Sequence, residues 1–449
     1  MAASEQHSAP DLAGSATGAD GDWPAPARGW IVVGLLALAS VVSQFDRTVI
    51  NLMVAPIKAE FGLNDTAFGA LQGVAFGIFY VLACIPLGRL ADNYSRRAII
   101  GTCLLLWSLF ACASGLARSY GQLFLTRIGV AVGEASLTPA GLSMLADHFP
   151  PDKLGRPVSG YLMSAPVGQG LAFIGGGSLL AALAGSSLLS TGLLAGLDPW
   201  QAAFIFVGAP GLLLVPLFFM VREPARRGRG AAEVLSARDV MRLVGDRWRA
   251  LVPMFIGFAM VLLVSYSVTI WTPAMLERTY GWGTAQIGLA FGLVLLLCGT
   301  AGVFTAGVLS DLVAARGHKD APLRVAAGGF AVAGIAGTLA PLMPNAWAAL
   351  ALLGVTVFCG NMPFPCAATS LQLIVPNRAR AQVSAVYVTF TTLVGLAVGP
   401  TVVGVMTDYV FSDPADVRYS ISVIVAVAAP VMVLMMLLAM RPYRRFLPE

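Results

Sequence analysis

Long apolar runs recur twelve times along the chain, separated by short polar segments. They fall at 30–54, 67–90, 97–117, 121–146, 156–182, 200–221, 250–276, 284–310, 323–341, 346–373, 381–407 and 417–440. A helix needs about 20 apolar residues to cross a bilayer. The pattern therefore predicts an all-α polytopic membrane protein with twelve membrane-spanning helices. A transmembrane barrel would alternate apolar and polar residues, whereas these runs are continuous. Residues 1–28 are polar and rich in Ala, Gly and Pro. They lack the basic-then-apolar order of a signal peptide and are expected to form a disordered tail. The longest polar connection, 222–249, carries eight arginines. It divides the chain into two six-helix domains, 29–221 and 250–440, followed by a tail at 441–449.

The two domains are related. Gly62, Gly69, Gly88, Leu90 and Asp92 reappear 219 residues later as Gly281, Gly288, Gly307, Leu309 and Asp311. Val158-Ser159 reappears 225 residues later as Val383-Ser384. Same-sense repeats of six helices are a hallmark of secondary transporters, whose binding site lies between the repeats near the midplane.

Composition narrows the class. Hydrophobic residues make up 57%, charged residues 11%, and mean hydropathy is +0.79. A soluble domain is about 45–50% apolar and about 25% charged, so soluble, fibrous and disordered classes are excluded. Net charge is +5, but the basic residues sit in short loops and form no nucleic-acid-binding face. With the N-terminus placed inside, inside segments hold 22 of the 28 Lys and Arg residues, and outside loops hold four. That asymmetry puts both termini and the 222–249 loop in the cytoplasm, as in a multi-pass protein of the cell inner membrane. The six cysteines lie within apolar stretches without metal-ligand spacing, and read as small buried hydrophobes. No nucleophile–base set or phosphate loop can be assembled, so an enzyme is not expected, and neither is a cofactor or metal.

The chemistry is concentrated in four residues. Of 51 Asp, Glu, Lys and Arg residues, only Asp46, Arg47, Arg127 and Glu134 lie deep within predicted helices. An ionisable group at that depth is costly unless paired or facing water, and marks function by default. Arg127 and Glu134, seven residues apart, share one face of the fourth helix at roughly 10 Å along its axis. Asp46 is a natural partner for Arg127, and Glu134 for Arg47. The repeat maps Asp46 and Arg47 onto Ser265 and Tyr266, so the second half has lost these charges. A carboxyl whose arginine partner can leave has two accessible protonation states, which is what proton coupling requires. Asp46, Glu134 and Arg127 are therefore the proton-coupling candidates. Arg47, Arg127, Glu134, Tyr80, Tyr161, Tyr266, Trp271, Asn361, Tyr387 and Thr391 are the substrate-site candidates.

Gly88-Arg89-Leu90-Ala91-Asp92-Asn93-Tyr94-Ser95-Arg96-Arg97 resembles the G-x-L-A-D-R-x-G-R-R signature of the major facilitator superfamily, departing from it at Asn93 and Ser95. Gly307-Val308-Leu309-Ser310-Asp311 keeps its Gly and Asp. A narrower resemblance is to the Spinster family. It rests on Asp46-Arg47, on Arg127-Ile128-Gly129-Val130-Ala131-Val132-Gly133-Glu134-Ala135-Ser136, and on Pro166-Val167-Gly168-Gln169-Gly170-Leu171. Ile128 stands where that family has glycine. The superfamily resemblance implies a cytoplasmic gate at Asp92, Arg96, Arg97, Arg156 and Asp311. Asp92 is expected to cap the start of the eleventh helix across the domain interface. The Spinster resemblance implies an alternating-access transporter of lysophospholipid or sphingosine-1-phosphate type.

The chain is thus read as a monomeric, proton-coupled secondary transporter. Its expected partners are the lipid bilayer, protons and an amphipathic anionic small molecule. Arginine's forked donors suit phosphate or carboxylate, and the nearly apolar second-half helices suit an acyl chain. A symporter of small organic anions such as sugar acids is the alternative, and a transporter-like receptor or sensor a third reading. Topology is directly testable. In cells, Ser186→Cys should react with an impermeant maleimide added outside and Ser236→Cys should not; the reverse pattern overturns the orientation.

Overall fold

The structure is a computed structural model that describes residues 23–150, 153–190, 194–226, 237–376 and 379–447. Among these residues, twelve helices are long and apolar enough to cross a membrane. They are α1 (Pro26–Leu52), α2 (Asp65–Asn93), α3 (Arg96–Ser114), α4 (Tyr120–Ala146), α5 (Gly155–Ala184) and α6 (Pro199–Met220) in the first half. The second half has α7 (Trp248–Tyr280), α8 (Thr284–Ala315), α9 (Ala321–Leu342), α10 (Ala346–Ile374), α11 (Gln382–Phe411) and α12 (Pro414–Arg444). Every expected span is present. Of the expected tail, residues 1–22 lie outside the described residues. The remainder is not all tail, because α1 starts at Pro26, where the missing N–H and fixed φ of proline suit a first helical turn. The linker between the halves contains a helix of its own, Ala237–Asp246, and its residues 227–236 lie outside the described residues.

The repeat seen in the sequence has a conformational basis. Gly62 ends the short helix Val54–Phe61 with φ +62°, and Gly281 ends α7 with φ +69°. Both are left-handed C-caps, a conformation that glycine adopts without a Cβ penalty. Gly69 and Gly288 serve close approach instead. A Cβ on Gly69 would lie 2.6 Å from the Pro400 carbonyl oxygen of α11, and one on Gly288 would lie 2.4 Å from the Phe173 carbonyl oxygen of α5. Small residues let membrane helices pack backbone to backbone. The α2–α11 and α5–α8 seams join the halves as pseudo-symmetric mates. On α5, Gly168, Gly175 and Gly176 pack against α1, while Gly170 and Gly177 pack against α8.

Both seams lie toward the face away from the arginine-rich loop. One core fills the second half and continues through Val49, Leu52 and Phe68 into the far end of the first. A separate core around Leu36, Leu104, Trp107 and Phe218 fills the arginine-rich end of the first half. The halves therefore close on the opposite face and part toward the arginine-rich one, where Gly88 and Gly307 meet open space.

Each half is stapled on the arginine-rich face, with the charges inverted between repeats. At the start of α3, Arg96 is 1% exposed and pairs with Asp147 and with Glu223, the latter at 2.8 Å. Glu223, just beyond α6, also accepts from Ser95 Oγ and from the backbone amides of Arg96 and Arg97, at 2.9, 3.2 and 3.0 Å. A carboxylate is stabilised at a helix N-terminus. In the second half the acid starts the helix: Asp320, at the head of α9, pairs with Arg444 at the end of α12 at 2.7 Å and with Arg324 at 3.0 Å. Partial burial pushes both carboxyls up. The α3 amides and Arg96 for Glu223, and Arg444 and Arg324 for Asp320, outweigh it and hold them below the usual range.

Two outcomes follow from these staples. Arg96→Gln leaves two carboxylates facing each other; breaking a buried ion pair costs roughly 3–5 kcal/mol. Arg444→Gln removes a half-exposed partner worth about 1 kcal/mol or less. Melting of the purified protein should drop far more for the first variant. Because folding lowers both carboxyl pKa values, their stabilisation is complete above the ordinary carboxylate range near pH ~4 and is lost as pH falls through the lowered values. Glu223→Gln combined with Asp320→Asn should flatten that acid limb of the melting profile; an unchanged limb would assign it elsewhere.

Candidate functional site

The buried charges converge where helices lose regular geometry. α1 is α-helical through Thr48, tightens to a 3-10 turn over Val49–Leu52 and breaks at Met53. α4 is interrupted after Glu134. α2 is interrupted at Gly73, where a Cβ would meet the Ala397 carbonyl oxygen at 2.6 Å. Asp46, Arg47, Glu134 and Phe76 all lie within a few residues of these breaks. Discontinuous helices are a common way to build binding sites at membrane depth.

Arg47 donates through Nε to Glu134 Oε2 at 2.5 Å, and Ser43 Oγ donates to the same oxygen at 2.8 Å. The Arg47 guanidinium lies over the rings of Phe76 and Tyr80, 4.6 and 4.7 Å from their centroids. Cation–π contact stabilises an arginine that water does not fully reach. Arg127 donates to the Asp46 backbone carbonyl at 3.2 Å rather than to its carboxylate. Asp46 is 0% exposed. Among the described residues, neither Asp46 carboxyl oxygen, nor Glu134 Oε1, nor Arg127 Nε has a hydrogen-bond partner. The Arg47–Glu134 pairing anticipated from sequence is present; the Asp46–Arg127 one is made through the main chain.

Two adjoining chambers lie beside this cluster. A polar one of about 90 Å³ is lined by Arg47 and Arg127 and by the amides of Gln44, Asn51, Gln72 and Gln169, with Tyr266 and Thr269 from α7. A second of about 50 Å³ reaches into the second half between Val261, Val264, Leu295, Phe330 and Val357, with Asn361 at its wall. Gln169 and Thr269 line both chambers. Tyr80, Tyr266 and Asn361 thus sit at the cluster or the chambers. Tyr387 is half-buried and packs edge-on against Phe255 and Phe258.

Three candidates sit elsewhere. Trp271 is 0% exposed, donates to the Pro400 carbonyl at 3.0 Å and packs edge-on against Phe68; it cements the closed face. Tyr161 is buried in the first half's core. Thr391 is 1% exposed and turns its hydroxyl back to the Tyr387 carbonyl. An aromatic or hydroxyl inside an apolar run carries no mark of which way it points, so pattern alone does not place it. Among the gate candidates, Arg96 and Arg97 bind within their own half, Arg97 to the Val221 carbonyl at 2.8 Å. Asp92, Arg156 and Asp311 are exposed. The Asp92 carbonyl accepts from Arg226, which also binds the Ala91 carbonyl.

The closed face holds a charged clamp that sequence reading missed. Asp65, 0% exposed, pairs with Lys58 of its own half and, through both oxygens, with Arg278 of the other, at 2.7 and 2.8 Å. From the end of α11, Asp408 accepts from the amides of Asp65 and Thr66 at 3.1 and 2.6 Å, capping α2 across the interface. Lys58 and Arg278 are two of the four basic residues of the expected outside loops.

The family model of the Major Facilitator Superfamily matches residues 36–400. The chain belongs to the major facilitator superfamily. It is 30% identical to an MFS-type efflux pump of Mycolicibacterium smegmatis over 86% of each chain. It is 26% identical to a probable L-galactonate transporter of Escherichia coli, over 83% of this chain and 82% of that one. It is 28% identical to protein spinster homolog 1 of Homo sapiens, over 85% of this chain and 74% of that one. Its fold matches the crystal structure of a bacterial homolog of the human lysosomal transporter Spinster, in an inward-facing and unoccupied conformation. The TM-score is 0.77 at 24% identity, covering 94% of this chain and 98% of that one. The chain is a transporter of this superfamily and not an enzyme.

Within a superfamily transporter, a clamp of this kind ties the two halves together at one face. Hydrogen bonds to charged groups are worth about 1.5–3 kcal/mol each. Arg278→Gln should therefore shift the conformational balance roughly tenfold or more toward opening of that face. Spin-label distances between the α2 and α11 ends there should lengthen; an unaltered distribution would leave the clamp without a gating role.

Proposed function

We propose that this transporter moves an amphipathic anion, lysophospholipid or sphingoid phosphate in type, coupled to protons, with the arginine-rich face in the cytoplasm. One observation carries the reading: an arginine- and amide-lined chamber adjoins a more apolar one, with Gln169 and Thr269 in the lining of both. The guanidinium groups of Arg47 and Arg127 suit a phosphate or carboxylate head. The chambers are sized for a head group and the first part of a tail; the rest of the tail would follow the space between the parted halves. Burial of each further CH₂ would contribute about 0.8 kcal/mol.

The coupling follows from the unpartnered oxygens. A sealed carboxylate with no hydrogen bond costs several kcal/mol as the anion, so Asp46 fits this conformation as the neutral acid. Glu134 holds Arg47 here. When Glu134 takes a proton, Arg47 is released to bind the substrate head, and substrate and proton occupancy become linked. A sugar-acid symporter is the second reading. It is supported by the four amides around the arginines, which would pair hydroxyls, and by the L-galactonate relative.

Reconstitution separates these readings. Binding of lysophosphatidic acid should tighten severalfold with each pair of added CH₂ groups and collapse in Arg127→Ala. Tail-length independence with tight binding of galactonate would favour the sugar acid. Glu134→Gln should abolish uptake driven by a pH gradient yet retain counterflow exchange. Full gradient response in both Glu134→Gln and Asp46→Asn would place coupling elsewhere.

A further inference from the structure

A groove of about 720 Å³ lies on the first half at the arginine-rich face, between the start of α1 and the end of α6, and it shares no lining residue with the two chambers. Its walls are apolar: Ile31 and Leu35 from α1, Leu217 and Met220 from α6. Ile31 is 61% and Met220 76% exposed, as expected of side chains that meet lipid rather than protein. The neighbouring Trp30, half exposed, packs edge-on against Phe149 at 5.8 Å, the position of an interfacial aromatic. The groove therefore sits at head-group depth.

Its polar lining is distinctive. Arg28 and Arg222 stand exposed at its rim. Glu223 also lines it, but its oxygens are taken by the α3 amides and Arg96. At the inner wall His148 is only 4% exposed; its Nδ1 lies 2.8 Å from the Met144 carbonyl. Only an N–H can make that contact, so Nδ1 carries the proton and Nε2 is the ring atom left to meet a ligand. Among the described residues no hydrogen bond engages Nε2.

We infer that this groove binds a phospholipid with an anionic head group, drawn from the adjacent leaflet. Its phosphate sits at the Arg28–Arg222 rim, and its acyl chains cover the Ile31–Met220 wall. The apolar wall alone would accept any lipid. The two arginines select charge, since the one acid lining the groove, Glu223, is already neutralised and basic residues at a membrane surface favour anionic lipid by about 1 kcal/mol each. Such a lipid would bridge the start of α1, the helix carrying Asp46 and Arg47, to the end of α6, whose carboxylate staples α3.

The test is native mass spectrometry of the full chain with phosphatidylglycerol or phosphatidylcholine added at equal concentration. The wild type should retain phosphatidylglycerol roughly tenfold better or more. Arg28→Gln with Arg222→Gln should erase that preference while leaving melting in phosphatidylcholine unchanged. Ile31→Trp, which fills the groove without touching charge, should reduce retention of both lipids. Arg238→Gln with Arg242→Gln, on the linker helix, should keep the preference. Persistence of the preference in the rim variant, or its loss in the linker variant, overturns the assignment.

Discussion

A guanidinium cannot be left alone in hydrocarbon, and two of them here lie near the middle of the first half. That constraint organises the site. Arg47 is satisfied on one edge by Glu134 and on its faces by Phe76 and Tyr80. For this to happen, α1, α2 and α4 must come together at one depth. Arg127 is satisfied only in part, by a main-chain carbonyl that α1 offers as its last α-helical turn closes. The result is a cluster with two cations, two acids and several unspent hydrogen-bonding positions. A structural ion network would use those positions; among the described residues they stay open.

The second half has no such obligation. Ser265 and Tyr266 stand where the repeat would put the acid and the arginine. The duplication survives in the backbone instead: paired left-handed glycine caps, paired backbone-close seams, and paired staples. The staples show what the fold requires and what it does not. It needs the third helix of each half tied to the sixth; it is indifferent to which end carries the acid. Arg96–Glu223 and Asp320–Arg444 are mirror solutions. Each makes its half rigid at the face where the halves part, so motion is channelled into the seams.

Much of this was legible in the sequence. Twelve spans follow from run length, the repeat from a constant offset, and the four buried charges from their rarity. The Arg47–Glu134 pair follows from complementarity. What was not legible is direction. Gln44, Thr48 and Asn51 share one face of α1 at helical spacing, and that periodicity was the available signal for the polar chamber. The mark of Trp271 as packing rather than ligand contact lay outside its own segment, in Pro400 and Phe68. The clamp was hidden for another reason. Lys58, Asp65, Arg278 and Asp408 sit at helix ends, where charges are ordinary. Only the approach of α2 to α7 and α11 brings Arg278 and Asp408 to Asp65.

The clamp and the charged cluster share a single element. α1 carries Asp46 and Arg47, then leaves α-geometry over Val49–Leu52, a turn whose residues are part of the core that joins the halves. Beyond the break at Met53 the short helix Val54–Phe61 carries Lys58 to Asp65. A rearrangement at Arg47 that repositions the end of α1 therefore acts on the turn packed against the second half, and through it on the basic partner of the clamp's central acid. Coupling requires an element with two arrangements that both sites bias. The interrupted stretch of α1 is placed for such a role, because a 3-10 stretch within a helix often marks a hinge. The same segment therefore links the charged cluster to the clamp, and among the described residues the cluster's unpaired buried acid, Asp46, lies one turn before it.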